Sequence, residues 1–243
     1  MIGLPPSSLP VRSLPVEPPQ TSSLALPAGW SLWALAAFLT VGPVFLQAPL
    51  VRLAPMAAAL GTLPLLVGAL ALAFHPNPNR QRVGMLLVGF AGSWLGGSLF
   101  WGWCRAYPVW HLPIEGFALP LALGGLQTRW RIGAWFYLGS LLGTALTDAL
   151  IAATGLMPFW PLVVGAKGGL AARLLQEAAQ GLLHPLPLLA IALAGVWILQ
   201  LSRLLWRGDG AQRAASAALA TTVVVDGLFL GAALLAPRLS GLI

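Results

Sequence analysis

Charge is what this sequence has least of. Only 8% of its 243 residues are Asp, Glu, Lys or Arg, against about 25% in an ordinary soluble domain. So few charges cannot clothe a water-facing surface, and a soluble globular protein is excluded. Cysteine is nearly absent as well. The single thiol, Cys104, cannot close an intrachain disulfide or build a zinc site alone, and it reads as a small apolar packing residue. Acidic residues number six against thirteen basic ones, a formal charge of +7. The basic residues fall singly or in pairs in the gaps between apolar runs, which is the layout of membrane-flanking charge. No phosphate-binding stripe is formed, and nucleic acid is not an expected partner.

What is present is apolar. Hydrophobic residues make up 58% of the chain and the mean hydropathy is +0.84. They fall into long runs of the kind that cross a bilayer. The runs are Trp30 to Gln47, Ala54 to Phe74, Val83 to Trp103, Ile132 to Thr154, Pro185 to Trp206 and Ala214 to Ala236. A seventh, Leu112 to Leu126, is short and holds Glu115 and two prolines. Including Tyr107 to His111 brings it near the ~20 residues a span needs. The expected fold is therefore all-α: a transmembrane helix bundle over residues 29–238 with seven spans, or six if residues 107–126 do not cross.

Residues 1–28 contain seven prolines and no continuous apolar core. They read as a disordered tail rather than a cleavable signal, with the first span as an uncleaved anchor. With this tail inside, eight basic residues face the cytoplasm: Arg12, Arg80, Arg82, Arg129, Arg131, Arg203, Arg207 and Arg213. Five face out: Arg52, Arg105, Lys167, Arg173 and Arg238. The bias follows the positive-inside rule and supports seven spans. If the fourth segment does not cross, the split becomes six against seven.

The external connection holds GGLAARLLQEAAQGLL, where Leu170, Leu174, Ala178 and Leu182 recur at helical spacing. Arg173, Gln176, Glu177 and Gln180 fall off that stripe. An amphipathic helix near 168–183 is expected, lying on the bilayer or on the bundle. Gly89, Gly92 and Gly96 in the third run, and the GxxxG of Gly139 and Gly143 in the fifth, read as close-packing faces. They suggest that the third and fifth spans meet. Trp101, Trp103, Trp110 and Trp160 lie at span ends on the outer side, where an interfacial aromatic belt accounts for them.

Three carboxylates lie inside apolar segments: Glu115, Asp148 and Asp226. An intramembrane charge costs roughly 2.5 kcal/mol or more, so each needs a partner, a cavity or a proton. At a rise of about 1.5 Å per residue, Asp148 lies about 24 Å along its span and Asp226 about 18 Å along its own. This sets Arg105, His111, Glu115 and Asp148 at one depth near the outer face, with Thr144 and Thr147 close by. Asp226 sits nearer mid-membrane and reads either as a proton or cation site or as a protonated carboxyl hydrogen-bonded across helices, with Thr221 or Thr222 on its own helix as local partners. His111 and Glu115 are four apart and share a helix face. The cluster reads either as a polar site open to the outside or as an ion pair, Arg105 with Glu115 or Asp148, that locks two helices.

No HExxH, CxxC, GxxxxGK[ST] or strand-borne GxGxxG occurs, and no Ser–His–Asp set can be argued from spacing. The reading leans away from an enzyme and names no metal or cofactor.

Two segments, HLPIE and YLGSLLGTALTD, carry His111, Glu115, Tyr137, Gly139, Gly143, Thr144, Thr147 and Asp148. They resemble an uncharacterised family of cyanobacterial integral membrane proteins, over about a quarter of the chain. The resemblance implies a bacterial plasma or thylakoid membrane and no particular activity. Two functions remain open. One is a structural or assembly component that binds other membrane proteins as well as the lipid bilayer. The other is a small transporter or channel-like carrier using the intramembrane carboxylates. A continuous polar path from Asp226 to the outer cluster would favour the second.

Overall fold

The computed structural model describes residues 31–239; the proline-rich tail and Arg12 lie outside the described residues. All regular structure among them is helical. Eleven α-helices follow in order: α1 (Leu32–Leu53), α2 (Pro55–Leu60), α3 (Thr62–Ala73), α4 (Pro78–Leu99), α5 (His111–Glu115), α6 (Leu119–Gly125), α7 (Arg131–Ala153), α8 (Phe159–Gly165), α9 (Gly168–Gly181), α10 (Pro185–Trp206) and α11 (Gly210–Leu235). With α2 and α3 counted together, six helical stretches are long and apolar enough to cross a membrane.

Local chemistry sets several boundaries. The Ser31 hydroxyl accepts from the Ala34 amide and caps α1. Asn77 caps α4 with Pro78 at the first helical position, where a missing N–H costs nothing. Asp209 and Gln212 form a reciprocal capping box at the start of α11.

The fourth segment departs from the expectation of a helical span. Residues 108–125 form a 3-10 turn (Pro108–Trp110), then α5 of five residues and α6 of seven. Pro108, Pro113 and Pro120 remove backbone donors, and Gly116 ends α5. The broken segment nonetheless runs the length of the bundle. It begins where the His111 ring lies 4.2 Å from that of Phe100 at the end of α4. It ends where Gly125 faces Ala134 and Trp130 at the start of α7. Since α4 and α7 run parallel, this segment is the antiparallel return between them.

Side-chain contacts define the two ends. At one, Trp33 meets Trp206 at 5.5 Å, Arg131 pairs with Asp209 at 2.6 Å, and Arg129 donates to the Ala73 carbonyl at 2.8 Å. This end gathers Arg80, Arg82, Arg129, Arg131, Arg207 and Arg213. At the other, Trp160 donates to the Arg105 carbonyl at 2.8 Å and Gln176 to that of Leu234 at 2.9 Å.

Helices α4, α7 and α11 form the centre, with α1 on α11 and α3 on α4. Half of the apolar window of the α4 span is buried, against 11% for α10, so α10 is peripheral. Glycine sets the central spacing, but not in the pairing expected. A Cβ at Gly139 would lie 2.7 Å from the Ala215 carbonyl oxygen, and one at Gly143 would collide with Thr222. The GxxxG face of α7 therefore meets α11. Helices α4 and α7 do touch, through Gly89 and Gly133, where a Cβ on either would run into the backbone of the other helix.

Helix α9 also differs in detail. Its buried residues are Ala171, Ala172, Ala178 and Ala179, while Leu170 is exposed. Small side chains let the helix lie close against the end of α11, and Gln176 fastens it there.

Candidate functional site

Two helices running antiparallel bring the polar residues together. On α5, His111 and Glu115 are one turn apart. On α7, Thr144 and Asp148 are one turn apart. The opposite chain directions match His111 to Asp148 and Glu115 to Thr144, like two rungs of a ladder. The His111 Nδ1 lies 2.9 Å from both carboxylate oxygens of Asp148. Its Nε2 lies 3.3 Å from Glu115 Oε1. The Thr144 hydroxyl donates to Glu115 Oε2 at 3.1 Å. His111 and Asp148 are buried.

Asp226 is not isolated. The Thr147 hydroxyl donates to its Oδ2 at 2.7 Å, from α7 across to α11. The partner is thus on another helix; Thr222 instead donates to its own Ala218 carbonyl at 3.2 Å. Thr147 adjoins Asp148 in sequence, so one turn of α7 serves both sides. Thr144 and Asp148 face α5 and Thr147 faces α11, so the Glu115–His111–Asp148 group and the Thr147–Asp226 pair meet α7 at adjacent positions.

Arg105 does not join this group. Its carbonyl accepts from Trp160, and its guanidinium makes no ion pair among the described residues. Among the described residues, the imidazole is the only basic group paired with these carboxylates.

Backbone packing places the ladder. A Cβ at Gly96 would lie 2.9 Å from the Glu115 Cα, so the glycine lets α5 sit against α4. The break between α5 and α6 leaves backbone groups free inside the bundle, where water is scarce. The Tyr137 hydroxyl answers both sides of the break: it accepts from the Ala118 amide at 3.2 Å and donates to the Glu115 carbonyl.

Three aromatic residues that the sequence did not single out as site residues surround the imidazole. Phe100 lies beside it. Trp101 and Trp160 stack on each other at 5.7 Å and 21°, with ring centres 5.8 and 5.6 Å from that of His111. Sequence position alone assigned both tryptophans to the interfacial belt. Trp103 and Trp110 are the exposed ones. Phe100 opens a π-helical turn, Phe100–Cys104, a local bulge that sequence periodicity does not reveal.

The arrangement suits proton exchange. A neutral imidazole carries one N–H, while the imidazolium carries two. Both ring nitrogens of His111 meet a carboxylate, so satisfying both contacts takes two protons, held by the ring or by a carboxyl. The same engagement leaves no free ring nitrogen for a metal. No group of three or more His, Cys, Asp or Glu among the described residues is arranged to hold one.

No curated protein and no solved structure matches the chain. Residues 36–234, which run from α1 into the last turn of α11 and include the whole ladder, match the family described as "Protein of unknown function (DUF3120)". The chain belongs to that family.

Proposed function

We propose that this protein is a proton-handling carrier of the membrane, with His111 as its central exchange group. The observation that carries the reading is the imidazole bridging Asp148 and Glu115 inside the bundle, with the Thr147–Asp226 pair at the adjacent position of α7. Intramembrane carboxylates joined to a histidine are the usual parts of a proton relay. A helix lock alone needs one cation and one carboxylate; here two carboxylates engage the imidazole, and a third, Asp226, is held by Thr147 on the same turn of α7. The stacked pair Trp101 and Trp160 limits access from the adjacent end. The membrane we propose is a cyanobacterial plasma or thylakoid membrane, with the arginine-rich end toward the cytoplasm.

Reconstitution tests this. Proteoliposomes enclosing a pH-sensitive dye should acidify faster than empty liposomes under an imposed potential. His111→Gln and Asp148→Asn should remove the difference while remaining monodisperse in detergent. Wild-type liposomes no faster than empty ones, at verified protein insertion, would end the proposal.

A second reading, assembly with other membrane proteins, draws on α10. Its outer face exposes Leu186, Leu189, Leu193 and Trp197, and only 11% of its apolar window is buried. Purification in mild detergent separates the readings: a stoichiometric membrane-protein partner that shields α10 from labelling supports assembly.

A further inference from the structure

At the arginine-rich end, helices α1 and α10 both pack on α11 and leave a groove between them. Its floor is Ser216, Ala217, Ala220 and Thr221 of α11. Its walls are Trp33 and Ala37 of α1, and Ser202, Arg203 and Trp206 of α10. The cavity measures about 330 Å³, near the lower end of small-molecule pockets.

The chemistry of the groove is divided. Ser202 and Ser216 satisfy each other: their hydroxyls lie 2.8 Å apart, and each reaches the other's carbonyl, at 3.0 and 2.8 Å. The inner part is therefore alanine, methyl and indole surface. The mouth is cationic. Arg203 lies in the last turn of α10 and forms no ion pair among the described residues. Arg207 and Arg213 flank the same turn. Arg213 donates to the Trp206 carbonyl at 3.1 Å. The one acid of that turn, Asp209, is already held by Arg131 at 2.6 Å and by the α11 cap. A guanidinium at the mouth, an apolar trough behind it and tryptophans at the rim match a headgroup, a chain and an interface in that order.

We infer that this groove binds one anionic phospholipid, its phosphate at Arg203 and one acyl chain along α11. The ligand stands within one leaflet, its chain along the membrane normal beside α11, and enters sideways from the bilayer between α1 and α10.

The test uses the full chain in detergent, with thermal unfolding followed during titration with dioleoylphosphatidylglycerol, dioleoylphosphatidylcholine or inorganic phosphate. Phosphatidylglycerol is expected to raise Tm saturably, while phosphatidylcholine and phosphate do not. Arg203→Gln should weaken the phosphatidylglycerol midpoint about fivefold, the order expected for one arginine at an anionic lipid surface. Arg82→Gln, at the same end but outside the groove, should leave it unchanged. Ala220→Leu fills the trough while keeping Arg203, and should also weaken binding. Equal stabilisation by both lipids, a full response from Arg203→Gln, or a response to phosphate alone would overturn the assignment. Should Arg203→Gln fail to fold, native mass spectrometry of the wild type from an equimolar bilayer decides. One retained phosphatidylglycerol supports the site; retention of both lipids in proportion overturns it.

Discussion

His111 and Asp148 meet at 2.9 Å although 37 residues separate them in the chain. Their contact joins a five-residue helix in a broken segment to the middle of the bundle. The other ring nitrogen of His111 faces Glu115, so this one imidazole holds two carboxylates. Charge balance at the site therefore depends on it, not on Arg105.

Removing the histidine alone should be more damaging than removing it with a carboxylate. His111→Gln leaves buried Asp148 and half-buried Glu115 without their basic partner, a loss of about 3–5 kcal/mol by analogy with broken buried ion pairs. His111→Gln with Asp148→Asn should recover much of that loss, and Arg105→Gln should leave stability unchanged. Chemical unfolding in detergent reads all three. A double variant as unstable as the single one would show that the contact contributes packing rather than charge.

Thr147→Val keeps the shape of the side chain but removes the donor to Asp226. Proton flux in liposomes should fall while the melting profile of the His111 ladder stays close to wild type. Unchanged flux would take Asp226 out of the path.

Tyr137→Phe should cost about 1–3 kcal/mol, because the Ala118 amide and the Glu115 carbonyl both lose their partner inside the bundle. Proteolysis between residues 115 and 119 in detergent should quicken in parallel. No change in either measurement would mean that water replaces the hydroxyl at the break.

Gly139→Leu and Gly143→Leu drive side chains into Ala215 and Thr222. Overpacking of this kind costs about 1–3 kcal/mol, and more where backbone blocks relaxation. Gly139→Leu should be the worse of the two, since it meets main chain whereas Gly143 meets a side chain. Leu141→Ala is the mild control. Equal melting of all three would place that face against lipid.

Gln127 and Lys167 lie at opposite ends of the bundle. Single cysteines there, in a Cys104→Ser background, should react with an impermeant reagent from opposite sides of the membrane. Labelling of both from outside would contradict a crossing by residues 108–125.

Much of the architecture was legible because long apolar runs have one stable solution in a bilayer, the hydrogen-bonded helix. The six long runs became the six long helices, with the second broken into α2 and α3 near Gly61. Spacing also showed that His111 and Glu115 share a face. The same reading paired the α7 glycines with the third span, because small residues announce a close approach without naming the partner. It gave the carboxylates Arg105 as one candidate partner because depth along a helix says nothing about rotation around it.

The sequence by itself determined that this chain is a helical membrane protein, and which few charged residues must find partners inside it. Composition and run length suffice for that, since the cost of an unpaired charge or backbone group in hydrocarbon depends on no neighbour. Only the tertiary structure decided who those partners are. Antiparallel packing of α5 on α7 matched His111 to Asp148 and Glu115 to Thr144, and the rotation of α7 turned Thr147 toward Asp226. These are relations between helix faces, set by where glycine allows two backbones to close.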